Sequence, residues 1–355
     1  MTTAYLYDPI YRQHFQRDHV EGPERLDAIN RALDQSRMRS RLIELKPQPI
    51  SIERLTRVHD AEYVTRVKQI ADRGGGGLMG RGDETYVAPK SYEAALLAAG
   101  GVVTGVEAVL RGDVQNAFAL VRPPGHHAFA DHGEGFCLFN NVAIAAQTAR
   151  SELGIDRVLV VDFDVHHGNG TNSIFYHDPS VLFISTHQWG IYPGTGHWSE
   201  IGAGAGTGYS INVPVLPGWG DAALTTIFDD LLVPIAQRFK PQLILCSAGY
   251  DPHWGDTLGG LRMTDRGFFD LTRCLVNLAR ELCDGRLVLT LEGGYGLDGL
   301  AYGVVASFAA LLGDEAFTDP IGPAPRAERP IEEGYLDQLR ALHGLPALPS
   351  STLTA

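Results

Sequence analysis

Cysteine is scarce in this chain: Cys137, Cys246, Cys274 and Cys283 are the four among 355 residues. They form no C-x-x-C pair and are too few for a disulfide framework at this length, which suits a reducing cytoplasm. Positive charge is short as well. A formal net charge of -13 argues against the basic face of a nucleic-acid binder. It suits a cationic substrate, and it is equally ordinary for a cytosolic protein. No apolar run is long enough to span a bilayer. The start, Met1 to Asp8, lacks the basic and apolar regions of a secretory leader, so no membrane role is expected. The glycine-rich stretch at 73–82 lacks the Gly-Lys-Ser/Thr ending of a phosphate loop, and that at 195–208 fails the G-x-G-x-x-G spacing. Both read as loops, the first as a rim or surface loop. No internal repeat is visible.

What the chain does have is short apolar runs alternating with helical segments. Helical spacing covers 24–37, 53–72 and 91–111, and the runs are 117–121, 157–161, 181–185, 243–247 and 287–291; residues 209–214 also read as a strand. This alternation predicts an α/β fold, a parallel sheet with helices on both faces. Ligands of such sheets bind beyond the carboxyl ends of the strands. Chemically loaded residues do follow each run: His126-His127, then Asp162-Phe-Asp164-Val-His166, Thr186-His187, Tyr250-Asp251 and Glu292-Gly-Gly-Tyr295. Five loops serving one site imply one domain, 1–314, followed by a proline-rich tail, 315–355, with a short helix at 331–342.

The segment 157–170 carries the most chemistry. A strand buried on both faces ends in Asp162, Asp164 and His166, and alternate positions of an extended chain share one side. Two carboxylates and an imidazole are costly to bury together without a cation, and the mixed O and N set suits zinc or a similar divalent metal. Asp164 and His166 supply two ligands, Asp251 is the best third, and Asp162 is expected to accept a hydrogen bond from a histidine and fix its tautomer. Of the tandem His126 and His127, one can move the proton of an attacking water while the other stays charged or donates a hydrogen bond. Tyr295 can donate to a developing oxyanion. Singly, each group reads equally well as a cap, a polar cluster or a turn; together they describe metal-assisted hydrolysis of an amide or ester. His14, His59, His132, His177, His197, His253 and His343 are read as surface or structural.

The stretches Arg122-Pro-Pro-Gly-His-His-Ala128, Gly135-Phe-Cys-Leu-Phe-Asn-Asn141, Asp162-Phe-Asp-Val-His-His-Gly-Asn-Gly-Thr171, Tyr192-Pro-Gly-Thr-Gly196, Ser247-Ala-Gly-Tyr-Asp251 and Leu291-Glu-Gly-Gly-Tyr295 resemble the zinc-dependent histone deacetylases. Asn169 and the Leu-Glu-Gly-Gly-Tyr form resemble their class II-like, bacterial amidohydrolase branch. The resemblance implies the arginase/deacetylase fold, a mostly parallel sheet of about eight strands. It implies one catalytic zinc on Asp164, His166 and Asp251, His127 as general base and acid, His126 as its partner held by Asp162, and Tyr295 as oxyanion donor. Asn169 would stand behind these groups. Gly135, Phe136, Tyr192 and Leu258 would wall a narrow tunnel for an acyl-lysine chain. The resemblance also implies one or two potassium ions, one at carbonyls of Asp162, Asp164 and His166 with Ser185 and Thr186, the other at carbonyls of Phe175, Asp178, Val181 and Tyr209.

The chain departs from the family pattern at His19-Val20-Glu21, where His-Pro-Glu is usual, so the loop from Glu21 to Arg25 is expected at the rim. It also departs at Tyr192, where phenylalanine is common. The expected reaction is hydrolysis of acetyl-lysine or a small N-acetyl amine. The rival is an acetylpolyamine amidohydrolase, whose branch carries glutamate where this chain has Leu258, although Asp83 and Glu84 are candidates to reach the rim. An arginase-like enzyme would need more carboxylates than Asp251 alone, and a non-catalytic acyl-ligand binder would not need His127 and Tyr295. A homo-oligomer fits the reading too.

Overall fold

The computed structural model describes residues 1–78 and 84–348; part of the first glycine-rich stretch and Asp83 lie outside them. Eight strands form one parallel sheet: β1 (Thr3–Leu6), β2 (Ile43–Leu45), β3 (Asn116–Ala119), β4 (Val158–Asp162), β5 (Val181–Gln188), β6 (Ser210–Val215), β7 (Leu243–Ala248) and β8 (Leu287–Leu291). Their spatial order is β2-β1-β3-β8-β7-β4-β5-β6, every pairing parallel. Strands β3, β4, β5, β7 and β8 are buried throughout, which is why they read as largely apolar runs, β5 up to Ile184, rather than alternating ones. Each such side chain contributes about 1.5–3 kcal/mol by leaving water.

Helices are set by tertiary ties as much as by pattern. The helical expectation over 53–72 is corrected: the structure has Ile52–Leu55, then Ala61–Asp72. The break holds buried His59, whose Nδ1 meets the Phe129 carbonyl (2.9 Å) while its Nε2 accepts from the Asn140 amide (2.9 Å). Asp60 donates its N–H to the Ala130 carbonyl at 2.8 Å. Those bonds to the loop beyond His127 outweigh helix continuity. The first helix ends at Gln35 rather than 37, where Arg37 takes a φ of 54°. One helix, Ser91–Arg111, is long and apolar enough to cross a membrane by length and composition, but its most apolar window is 67% buried inside the protein.

Beyond residue 314 the chain packs back on the sheet side: the Tyr335 hydroxyl donates to the Pro214 carbonyl (2.6 Å) from the helix Tyr335–Leu342. Asp319 on this segment faces Asp265, the first residue of the helix Asp265–Leu282. Burial, then the Asp319 carboxylate, pushes Asp265 up to about 9. Among the described residues neither Asp265 oxygen has a hydrogen-bond partner, and the His253 Nε2 stands 3.7 Å from its Oδ1, so little offsets the cost of charge there. A carboxyl raised in the folded state stabilises below its unfolded value, about 3.9, and that contribution drains away as pH climbs toward 9. Asp265→Asn, which cannot ionise, is therefore expected to flatten the fall of Tm between pH 4 and 9 relative to the parent. Parallel Tm–pH curves for the two proteins would contradict the raised Asp265 carboxyl.

Candidate active site

The four central strands, β3, β8, β7 and β4, deliver the site from adjacent carboxyl ends. The chain does not stay extended past Asp162, which corrects the alternating-strand expectation for that segment. Strand β4 stops at Asp162, and the next residues bend. The Asp162 Oδ1 accepts the Asp164 N–H (3.1 Å), and the Asp164 Oδ1 accepts the His166 N–H (2.9 Å). Two successive carboxylate-to-backbone bonds turn the chain and divide its side chains. Asp162 goes to His126, while Asp164 and His166 meet Asp251.

Asp164, His166 and Asp251 are buried, with one ligand atom of each within 4.8 Å of the others. The His166 Nδ1 lies 3.1 Å from the Asp164 Oδ1 and 3.2 Å from the Asp251 Oδ2. Burial opposes charge on His166, but bonds to the two carboxylates raise it to about 10. Burial and the Asp164 charge push Asp251 up to about 7. The Asp251 Oδ2 makes no well-formed hydrogen bond; the His166 Nδ1 facing it at 3.2 Å is bonded to the Asp164 Oδ1. A Cβ at Gly293 would fall 2.2 Å from that oxygen, and one at Gly249 2.0 Å from the Asp164 Oδ2, so both glycines are needed for backbone to pass this close. Two carboxylates, one of them with an oxygen left without a formed hydrogen bond, and one imidazole nitrogen are a donor set that fits a divalent cation.

Beside this cluster, the His126 Nδ1 lies 3.0 Å from the Asp162 Oδ2 and its Nε2 3.9 Å from the Asp164 Oδ2. Burial works against its charge, but the carboxylates of Asp162 and Asp164 overcome it and raise His126 to about 10. His127 goes the other way. Burial, then the imidazoles of His126 and His166, hold it well below the usual histidine range. Its Nδ1 bonds the Asn169 Oδ1 at 2.7 Å.

A cavity of about 380 Å³ opens over these groups. His126, His127, His166 and Gly293 line it, with Gly135, Phe136, Tyr192 and Leu258 along its walls and Ile191 and exposed Glu84 beside them. Tyr192 sits edge-on to His127 at 5.1 Å, and 41% of it is exposed, as befits a wall near the mouth. Tyr295 lines the cavity too, its ring edge-on to Phe136 at 5.9 Å. Burial keeps its hydroxyl protonated far above the ordinary tyrosine range.

The residues read as potassium ligands fall in two groups. Ser185 pairs with Asp162 across the sheet, and the Thr186 hydroxyl is 3.5 Å from the Asp162 carbonyl. Phe175, Asp178 and Val181 share a turn, where the Asp178 N–H donates to the Phe175 carbonyl (3.0 Å), while the Tyr209 carbonyl accepts from Phe183 (2.9 Å).

Sequence reasoning misplaced one segment and passed over several groups. Glu21 is fully buried, not at a rim. It pairs with buried Arg122 (Oε2 to Nη2, 2.6 Å) and with Arg25 (3.0 Å). Arg25 donates to the Gly294 carbonyl at 2.7 Å and lies over the Tyr295 ring at 5.0 Å. The demand of a buried carboxylate for partners pulled this segment inward. Glu292 accepts from the amides of Gly125 (2.7 Å) and His126 (3.2 Å) and from Ser247 (3.0 Å). Asp256 accepts from the amides of Tyr295 (2.6 Å) and Leu258 (2.9 Å), tying two cavity walls together. Glu292 stood inside a quoted motif and could have been found there. Glu21, Arg25 and Asp256 act largely through partners far along the chain, Arg122, the Gly294 carbonyl and the Tyr295 amide, which no local pattern announces.

The model of the histone deacetylase domain matches residues 19–311. Histone deacetylase 14 of Arabidopsis thaliana, described as chloroplastic, is 41% identical over 94% of this chain and 82% of its own length. The human polyamine deacetylase HDAC10 is 41% identical over 90% of this chain but 49% of its own length. The crystal structure of the HDA15 HD domain superposes with a TM-score of 0.86 at 35% identity, covering 97% of this chain and 94% of that one. The sheet is the arginase/deacetylase fold, and this chain belongs to the histone deacetylase family, a family of deacetylases and amidohydrolases.

Proposed function

We propose that this chain removes acetyl groups from lysine side chains and kindred N-acyl amines, with zinc held by Asp164, His166 and Asp251. The observation that carries the reading is geometric: the Asp164, His166 and Asp251 cluster lies by one cavity lined by His126, His127 and Tyr295, with the His126 Nδ1 3.0 Å from the Asp162 Oδ2 and the His127 Nδ1 2.7 Å from the Asn169 Oδ1. A zinc ion there would supply Lewis acidity, polarising the acyl carbonyl and acidifying a water. His127, with Nδ1 committed to Asn169, offers Nε2 to take the proton of that water as its oxygen bonds to the acyl carbon. The Tyr295 hydroxyl donates to the oxyanion, and charged His126 stabilises the same negative charge. His127 then passes its proton to the amine nitrogen as the C–N bond breaks, giving acetate and free amine.

The same reading keeps potassium at the two groups of carbonyls above, and the segment beyond 314 as a tail on a single domain. It keeps the cytoplasm as the compartment, on four unpaired cysteines.

A second substrate reading has one observation in its favour: Glu84 lines the cavity, placed to pair with a distant ammonium. The discriminating experiment compares kcat/KM for an acetyl-lysine peptide and N-acetylputrescine, with Glu84→Gln alongside. Peptide preference, little changed by Glu84→Gln, is expected. Preference for the diamine that collapses in Glu84→Gln would overturn the lysine reading in favour of a polyamine substrate.

A further inference from the structure

We propose that Glu134 is a positioning residue for the general base: by fixing the orientation of the Asn169 amide, it fixes which nitrogen of His127 carries the proton. The idea rests on the deacylase reading for its consequence in catalysis, but not for its geometry. Glu134 sits in the turn before Gly135 and Phe136, where the Cys137 N–H closes on its carbonyl at 2.9 Å. Its side chain is 18% exposed, and its Oε1 lies 2.5 Å from the Asn169 Nδ2. Asn169 is 6% exposed. On the far side its Oδ1 meets the His127 Nδ1 (2.7 Å) and the Gly170 N–H (3.1 Å).

An ionised carboxylate only accepts, so the amide must turn its NH2 to Glu134. The Gly170 N–H only donates, so it favours the carbonyl on that side, through the longer contact of the two (3.1 Å against 2.5 Å to Glu134). Both neighbours select the same orientation. His127 then confronts an acceptor, its Nδ1 must hold the hydrogen, and its Nε2 keeps the lone pair a base requires. With the amide reversed, Nδ1 would accept and Nε2 would carry the hydrogen, which removes the base. The second oxygen of Glu134 stands 3.8 Å from the His132 Nε2, so the carboxylate is steered from both ends. A carboxylate–amide–imidazole chain also polarises along its length and makes Nε2 the stronger acceptor.

The test is Glu134→Ala and Glu134→Gln, each read in two ways. In zinc-loaded protein without substrate, 15N shifts of His127 should report the Nδ1–H tautomer for the parent and a mixture for Glu134→Ala. Because no turnover is needed, this reading stands even if no acyl substrate is cleaved. In turnover, Glu134→Ala should lose about tenfold in kcat with KM little changed, the scale of partners that orient reactive groups from behind. Glu134→Gln, whose carbonyl still accepts from Asn169, should recover most of it.

A reciprocal pair sharpens the result. Asn169→Asp sets two carboxylates against each other and should be impaired, and adding Glu134→Gln, whose amide donates to the new carboxylate, should restore rate. An unchanged tautomer together with unchanged kcat in Glu134→Ala would overturn the proposal. So would a Glu134→Gln that neither rescues Glu134→Ala nor relieves Asn169→Asp.

Discussion

Asp251→Asn is expected to lose bound metal and deacylase activity together, each by more than about 100-fold, beyond the 10–100-fold typical of residues one step behind a metal. Asp251 reaches the cluster from the end of β7, while Asp164 and His166 follow β4, so on the proposed reading it would be the ligand that closes the site between strands. Its Oδ2 makes no well-formed hydrogen bond and faces the His166 Nδ1 at 3.2 Å, and its Oδ1 is committed to the Val165 N–H at 2.8 Å. The amide of asparagine would present either a neutral oxygen or an NH2 group to the cation. The fold should not suffer. Burial and the nearby Asp164 charge oppose ionisation of Asp251 in the absence of metal, so metal-free Asp251→Asn should melt no lower than the metal-free parent. Elemental analysis, kcat and a melting curve on one preparation check all three. A variant that keeps its metal would remove Asp251 from the ligand set.

Tyr295→Phe is the second large effect, an expected fall of about 10²–10³ in kcat with metal content and KM nearly unchanged. The substitution deletes only the hydroxyl. The ring keeps its edge contact with Phe136 and its place under Arg25, and the backbone keeps its bond to Asp256. A loss confined to kcat is the mark of an interaction made in the transition state. A drop shared with KM would instead mean that Tyr295 merely shapes the tunnel.

Much of this architecture is legible in the residues because burial on both faces writes itself as unbroken apolar runs, and parallel sheets place chemistry where those runs stop. Strands β4, β5, β7 and β8 and the groups beyond them follow from that rule alone. Strands β1 and β2 do not: one has four residues and the other three, and β2, partly exposed at the sheet edge, lacks an apolar run. That Asp162 meets a histidine was readable because a buried carboxylate at a strand end needs such a partner, while His126 as that partner was what the family resemblance implied. The division of roles between Asp162 and Asp164 was legible as well, but not its means, because that is a bend made by their own side-chain bonds to backbone. Nor was Glu134, one acid among glycines, whose meaning appears only when folding sets it beside Asn169.

The most direct measurement is acetate release from an acetyl-lysine peptide by metal-stripped protein titrated with zinc. Activity that rises linearly and levels off at one equivalent per chain, and is absent throughout in Asp251→Asn, is the result this account predicts. Full activity without metal, or equal activity in Asp251→Asn, would contradict it.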